Sequence, residues 1–164
     1  MFSCEKDDIC AETTSTTPQL ILRFYDILDQ EDTKTVTDLI AYGLDDNNEV
    51  VVFDDLFITT TDSLVIPLRT EVNFTRIVLH KDYDIDDNGT PNDDTDDIVL
   101  GNTDVINVTY QREDVYLSRA CGYKSVFNNI AVSIDSDISN WALNSEILIA
   151  NITNENAAHV KIYH

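Results

Sequence analysis

Short runs rich in Val, Ile, Thr, Tyr and Phe recur along most of the chain, separated by clusters of Asp, Asn, Gly and Ser. Such runs between turn-forming residues are typical of β-strands. Only the segment 137–143 predicts a short helical turn, with Asp137 as its cap. We therefore expect an all-β protein, with strands at 19–27, 38–43, 50–53, 57–60, 63–68, 75–80, 97–100, 104–111, 115–120, 127–134, 146–151 and 159–163.

The pattern within these strands indicates how they are arranged. Along 106–110 and 130–134, apolar residues fall mainly on one face and polar residues on the other, as in an antiparallel sheet with one face in water. Many short strands with little helix predict two packed sheets. The predicted fold is an antiparallel two-sheet β-sandwich, immunoglobulin-like or a related Greek key, formed by one domain at 19–164 and preceded by a tether at 1–18.

The charge of the chain limits its partners. Asp and Glu number 31 against 10 Lys and Arg, a formal net charge of −21, so the surface repels nucleic-acid phosphates and anionic lipid headgroups. It favours divalent cations and basic partners, although acidity can also serve only to keep an exposed protein soluble. Since no apolar run approaches the roughly 20 residues that span a bilayer, we expect any membrane attachment to be a tether.

The segment 82–97 has a pattern that suggests a bound metal. From Asp84 it has the form Asp-x-Asp-x-Asn-Gly, the first half of an EF-hand-type loop, whose carboxylates supply the hard oxygens that calcium prefers. The match is incomplete, because Thr95 stands where that loop needs a bidentate Glu. The alternative is a solvated acidic hairpin without metal. The candidate Ca²⁺ ligands are Asp82, Asp84, Asp86, Asn88, Thr90 through its carbonyl, Asp94 and Asp96.

Catalytic motifs are not evident. The sequence contains no nucleophile elbow, metal-binding His pair, phosphate-binding loop or dinucleotide-binding turn. We therefore predict that the chain is not an enzyme. A glycan-binding role would need an exposed row of aromatic side chains, for which the candidates are Tyr25, Tyr42, Tyr83 and Trp141.

The N-terminal cysteine suggests lipidation. Cys4 follows a small residue and precedes an acidic stretch, which resembles the end of a bacterial lipoprotein signal, and the residues at 5–8 resemble the export signal of surface lipoproteins of the Bacteroidota. The basic start and the apolar segment of such a signal are missing from 1–3, so we expect the signal to be truncated in this sequence. The alternative is a charged terminus with an incidental cysteine.

Cys10 and Cys121 then remain. In an oxidising envelope two such cysteines most often pair, and we predict a disulfide between them. The alternative is a nucleophilic Cys121, which would need a positioned histidine. The disulfide is preferred, because none of the three histidines has a recognisable catalytic context.

Taken together, these features resemble an uncharacterised lipoprotein family of the Bacteroidota, mainly of flavobacteria, known only as a domain of unknown function. The resemblance supports the lipid on Cys4 and the Cys10–Cys121 pair, and it implies no activity and no catalytic residue. Calcium at 82–97 would be a feature of this member alone. The segments that carry the resemblance are 3–10, 17–20, 23–26, 66–69, 110–113, 118–123 and 154–163.

The expected function is a non-enzymatic binding or scaffold module, tethered by lipid to the outer membrane and exposed at the cell surface, with the periplasmic face as the alternative. It would bind a protein or glycan partner and no nucleic acid. The alternative function is a glycan-capture accessory protein with a calcium-stabilised loop.

Overall fold

The computed structural model describes residues 9–54 and 57–164, and in these residues the chain is all-β with no helix. None of the described segments is therefore a helix that could cross a membrane. The predicted all-β class is confirmed. The strands are β1 (Leu20–Tyr25), β2 (Val36–Leu44), β3 (Val50–Val51), β4 (Thr59–Thr61), β5 (Ser63–Ile66), β6 (Phe74–Asp86), β7 (Ile98–Ser118), β8 (Gly122–Ile134), β9 (Asn144–Ile147) and β10 (Val160–Tyr163).

Two packed sheets form the sandwich, as predicted. The smaller has the order β5-β1-β10-β9. The larger has the order β3-β2-β6-β7-β8, with β4 also pairing with β2. The prediction of a fully antiparallel arrangement is wrong for one pair, because β1 and β10 run parallel, with Leu22 opposite Val160. This parallel pair joins the two ends of the described chain at the centre of the smaller sheet.

The core lies between the two sheets. Leu20, Leu22 and Phe24 of β1 are fully buried because their alternation places all three on the inner face. They belong to one apolar cluster with inward residues of both sheets. Its members on the larger sheet are Val36, Leu39, Ala41, Ile77, Leu79, Ile106, Val108, Tyr110, Phe127 and Ile130.

The strand β7 is much longer than the core it crosses. Its 21 residues correspond to about 70 Å of strand if straight. Burial alternates only in its middle, from Asp104 to Tyr110. Beyond these residues both ends continue as two-stranded hairpins, one with β6 and one with β8. We call residues 82–102 the acidic arm and residues 111–128 the disulfide arm.

The sequence predicted three separate strands where the structure has β7, and this prediction is wrong. The predicted breaks at 101–103 and 112–114 are strand residues. At these two positions β7 reaches solvent on both faces, so polar residues occupy successive positions and the period-two signal is lost. Gly101, in the first of these predicted breaks, lies in the ladder opposite a bulge in β6.

The predicted helical turn at 137–143 is also absent, since these residues form turns and bends. Asp137 caps a tight turn, in which its Oδ1 accepts a hydrogen bond from the Ser139 amide at 2.6 Å. Asp104 then accepts the amide hydrogens of Trp141 and Ala142, at 2.9 and 2.6 Å. These bonds satisfy amides that a helix would have used internally, and they hold Trp141 in the core.

Candidate functional site

The acidic arm contains every candidate calcium ligand, and the first three lie on β6. Asp84 and Asp86 pair with residues of β7. Asp82 lies at the bulge with a positive φ of 52°, and its Oδ1 accepts a hydrogen bond from the Thr37 hydroxyl of β2 at 2.7 Å. These carboxylates are therefore spaced along a strand and are not gathered around a single loop.

The remaining candidates lie in the turn at the tip of the arm, where they bond to one another and to the backbone. Asp86 Oδ1 accepts the Asn88 amide hydrogen at 3.0 Å. The Thr90 carbonyl accepts the Asp93 amide hydrogen at 2.9 Å, and the Thr90 hydroxyl lies 2.8 Å from Asp96 Oδ1. These oxygens are thus already engaged in turn contacts.

The structure therefore brings only part of the predicted calcium set together. Asp96 contacts both Asn88 and Thr90, at 3.5 and 2.8 Å, whereas Asp82 lies at the base of the arm and Asp94 is exposed at its tip. Within 9–54 and 57–164, no three His, Cys, Asp or Glu side chains are grouped so as to hold a metal ion. Calcium binding stays a prediction.

The disulfide arm is covered and cross-linked. Cys10 and Cys121 form a disulfide with their Cα atoms 4.8 Å apart, as the sequence predicts, so Cys121 has no free thiol. The segment 14–17 lies along β8, where Lys124 Nζ donates to the Ser15 hydroxyl at 2.8 Å and the Ser125 amide donates to the Thr17 hydroxyl at 3.0 Å. The predicted lipidation site, Cys4, lies outside the described residues.

Two exposed tyrosines face each other near the tip of this arm. Tyr116 and Tyr123 are directly opposite in the ladder and are 58% and 68% exposed. Their ring centroids are 5.3 Å apart at an interplanar angle of 65°. Sequence reasoning missed this pair, although a tight turn at 119–121 would have placed the two residues across from each other.

The aromatic residues that the sequence suggested do not form a row. Tyr25, Tyr42 and Tyr83 lie on three different strands and are only half-exposed. Trp141 is buried, with its ring centroid 6.1 Å from that of Phe24 and 5.7 Å from that of His164. Trp141 is therefore a core residue.

A small cleft opens at one end of the sandwich, between β2, β3 and the segment 67–71. Its volume is about 280 Å³ and its walls are mostly apolar, near the lower limit for small-molecule sites. The one buried hydroxyl in its lining, that of Thr75, is bonded to Tyr110 at 2.8 Å and to the Arg69 amide at 2.9 Å. The cleft thus offers no unused polar group in its depth.

The buried titratable groups have structural partners. Asp104 is 1% exposed, and burial raises the pKa of its carboxyl group, although its hydrogen bonds with Ala142, Asn140 and Trp141 oppose the shift. His159 is equally buried. Its Nδ1 accepts the Ile21 amide hydrogen at 2.9 Å, so in the neutral ring Nε2 carries the proton, 3.0 Å from the Asn154 carbonyl.

The other two histidines are also held by backbone carbonyls. His80 Nε2 lies 2.8 Å from the Leu100 carbonyl, and His164 Nε2 lies 3.2 Å from the Lys34 carbonyl. Burial lowers the pKa of His159 and of His164 below the ordinary value. All three histidines of the chain are therefore held in place by hydrogen bonds to backbone carbonyls.

Comparison with known proteins gives one match. Residues 24–164 match the model of a family of unknown function, DUF6452. Searches of curated proteins and of solved structures found no match. The matched region includes all ten strands except the first residues of β1. The chain therefore belongs to the DUF6452 family of unknown function.

Proposed function

We propose that the chain is a non-enzymatic binding or scaffold module of the cell envelope, held at the outer membrane by a lipid on Cys4 and exposed at the cell surface. One observation carries the binding role: β7 extends past the core at both ends and presents two hairpin arms. Side chains of the arms that reach solvent take no part in the core, so they are available for a partner.

The exposed side chains of the arms support this role. On the acidic arm, Ile85, Ile98, Val99 and Leu100 are exposed aliphatic residues on a two-stranded ribbon. A ribbon with exposed aliphatic residues is an unusual surface for a protein that has no partner. On the disulfide arm, the exposed groups include Tyr116 and Tyr123, a residue type enriched in binding surfaces.

The non-enzymatic part of the proposal is supported by the structural contacts of the side chains that enzymes most often use in catalysis. Cys121 is in a disulfide, the three histidines are held by backbone carbonyls, and Asp104 binds backbone amides of the core. Each group has a structural partner in place of a substrate-facing position.

Site-specific photo-cross-linking in cells tests the binding role. A photoreactive amino acid at Val99 or Tyr123 of the full chain should give discrete adducts, because both positions lie on the arms. The same amino acid at Leu28, which is 92% exposed on a loop outside the arms, serves as the matched control. Equal adducts at all three positions, or none at the arm positions, would overturn the proposal.

Metabolic labelling tests the anchor separately. An alkyne-bearing fatty acid should label the protein in its natural precursor, and Cys4→Ser should abolish the label and release the protein from the membrane fraction. Retention of the label in Cys4→Ser would refute the anchor without affecting the binding role.

The alternative, a glycan-capture accessory protein with a calcium-stabilised loop, has one observation in its favour. This is the exposed Tyr116–Tyr123 pair, since stacking on sugar rings requires accessible aromatic faces.

A further inference from the structure

We infer that the face of the disulfide arm carrying Tyr116 and Tyr123 binds a neutral saccharide; this inference rests on the proposed binding function and specifies its ligand. The two rings are the largest exposed apolar surfaces of that arm. They contact each other at 5.3 Å and 65°, so the pair forms a corner that presents one ring face beside the edge of the other.

Polar groups lie on the same face of the ladder as the tyrosine pair; Asp114 is exposed, whereas Ser125 is buried. Residues opposite each other in a ladder share a face, so Asp114 and Ser125 follow the tyrosine pair by one repeat, about 7 Å. Asp114 also receives hydrogen bonds from Arg112, at 3.2 Å, and from the Ser125 hydroxyl, at 2.8 Å. An aromatic corner beside a carboxylate and a guanidinium group suits a ligand with a C–H face and a rim of hydroxyls.

The tyrosine hydroxyls indicate that the pair does more than pack. Within the described part of the chain, neither the Tyr116 nor the Tyr123 hydroxyl bonds to another residue. By contrast, the hydroxyls of Tyr110 and Tyr163 donate to Arg69 and Glu146. Within the described residues, the rings of the exposed pair thus contact each other edge to face, and their hydroxyls have no hydrogen bond to the protein.

The charge of the site selects a neutral ligand. The Arg112 guanidinium is paired with Asp114 at 3.2 Å, so it offers no unpaired positive charge to an acidic sugar. The net charge of −21 repels anionic polysaccharides at longer range.

The arm is ordered before it meets a ligand. The Cys10–Cys121 disulfide joins its tip to the N-terminal segment, and the Cys121 amide donates to the Ser118 hydroxyl at 3.0 Å. A site fixed in this way loses less conformational freedom on binding than a mobile hairpin would.

Affinity electrophoresis of the full, disulfide-bonded chain tests the inference. The gels contain amylopectin, laminarin, mannan or xylan as neutral probes and polygalacturonate as the anionic probe. We expect at least one neutral probe to retard the chain and polygalacturonate not to. Tyr116→Ser with Tyr123→Ser should weaken that retardation by about tenfold or more, since the stacked surface is lost.

Two control variants make the result specific. Tyr116→Phe with Tyr123→Phe keeps the rings and should retain binding within about threefold of the original chain. Leu28→Ser with Ile138→Ser changes exposed residues outside both arms and should leave the retardation unchanged. The melting midpoint of each variant establishes that it is folded, and Tyr123→Ser alone replaces the double variant if that one unfolds.

The negative outcomes separate this inference from the proposed function. No retardation by any neutral probe, or equal retardation of the Ser and original chains, would overturn the saccharide site. Arm-specific cross-links in cells would then still support a binding module with another partner. Retardation by polygalacturonate alone would overturn the selection of a neutral ligand.

Discussion

At one end of β7 the two strands of the acidic arm form a ladder with each other and with no third strand of the described sheets. At the other end the disulfide arm is attached to two further parts of the chain. The ladder between β2 and β6 begins at His80, and the ladder between β7 and β8 ends at Ile106, so residues 82–86 and 98–101 have no third strand in the described sheets. On the disulfide arm, the segment 14–17 lies along β8, and the Phe127 and Ile152 backbones bond to each other.

This difference indicates how stability is distributed along β7. A two-stranded ribbon on its own is marginally stable in water, so the acidic arm should open locally without unfolding of the sandwich. The disulfide arm should open only with the core, because Phe127 is fully buried and Cys121 is covalently tied to Cys10.

The largest expected effect comes from removing that tie. Cys10→Ser with Cys121→Ser should lower the free energy of unfolding by up to about 4–5 kcal/mol, because the bridge closes a long loop in the unfolded chain. Denaturant unfolding of the variant and of the original chain, with and without reductant, measures the difference. Equal stabilities in the absence of reductant would refute this expectation. Relative to the original chain, hydrogen exchange in the variant should accelerate more at 113–127 than at 84–100.

The comparison of the arms also explains which features the sequence could predict. The class of fold followed from alternation in strands that cross the core, such as 106–110, because burial on one face imposes the period of two. The disulfide followed from the count of cysteines and the expected compartment. The parallel pairing of β1 with β10 and the length of β7 did not follow, because they depend on contacts between distant segments.

The candidate sites were less predictable for the same reason. The calcium pattern was recognised as a loop motif, but its first half became strand, since pairing with β7 satisfies more backbone groups than a free loop would. Tyr116 and Tyr123 carry no signal as separate residues. They become a site only when the turn at 119–121 brings them together.

Calcium should affect the acidic arm and leave the disulfide arm unchanged. The predicted loop site would add about 2.7 kcal/mol of local stability at 100 times its dissociation constant, equal to about a hundredfold slower exchange. Hydrogen exchange of 84–100 in millimolar calcium and in EDTA measures this effect, with magnesium as the control ion. Asp84→Asn with Asp86→Asn should abolish it, and identical exchange in calcium and EDTA would show that the arm is a solvated hairpin.

The base of the acidic arm should be sensitive to a single methyl group. Gly101 has a φ of +108°, and an added Cβ would lie 2.5 Å from the Lys81 carbonyl oxygen and 2.7 Å from that of Asp82. Gly101→Ala should therefore lower the free energy of unfolding by about 2 kcal/mol. Gly89 at the tip, with a φ of +78° and nothing within 4 Å of an added Cβ, is the matched control.

The denaturant midpoints of the two glycine variants distinguish backbone strain, which both variants have, from the steric clash of the added Cβ, which only Gly101→Ala has. Gly89→Ala should cost about 1 kcal/mol or less, since it has only the backbone strain. Equal losses for the two variants would mean that the bulge adapts to a side chain and does not fix the direction of the arm.

Mild acid should weaken the sandwich core, in which His159 and His164 are buried, whereas the disulfide arm contains no histidine between 111 and 128. The pKa of His159 is lowered by burial, against a partial opposing effect of Glu155, so the folded chain binds this proton less readily than the unfolded chain. The contribution is therefore complete above about pH 6.5 and is lost as the pH falls from there through the lower folded pKa. His164, whose pKa is lowered by burial and raised in part by Asp26, acts in the same direction.

The size of this effect distinguishes His159 from the other groups that titrate. Between pH 7.5 and 5.5 the original chain should lose stability because the unfolded chain binds a proton at His159 more readily, and the loss should be visible as faster exchange at 20–22 and 160–162. His159→Asn can keep an acceptor for the Ile21 amide without a titrating ring, so its stability should depend less on pH. A variant with the same pH dependence as the original chain would show that His159 binds its proton equally in the folded and the unfolded chain. Exchange at 113–127 should accelerate over the same pH interval, because the disulfide arm opens only with the core, and unchanged exchange there would show that the arm opens independently.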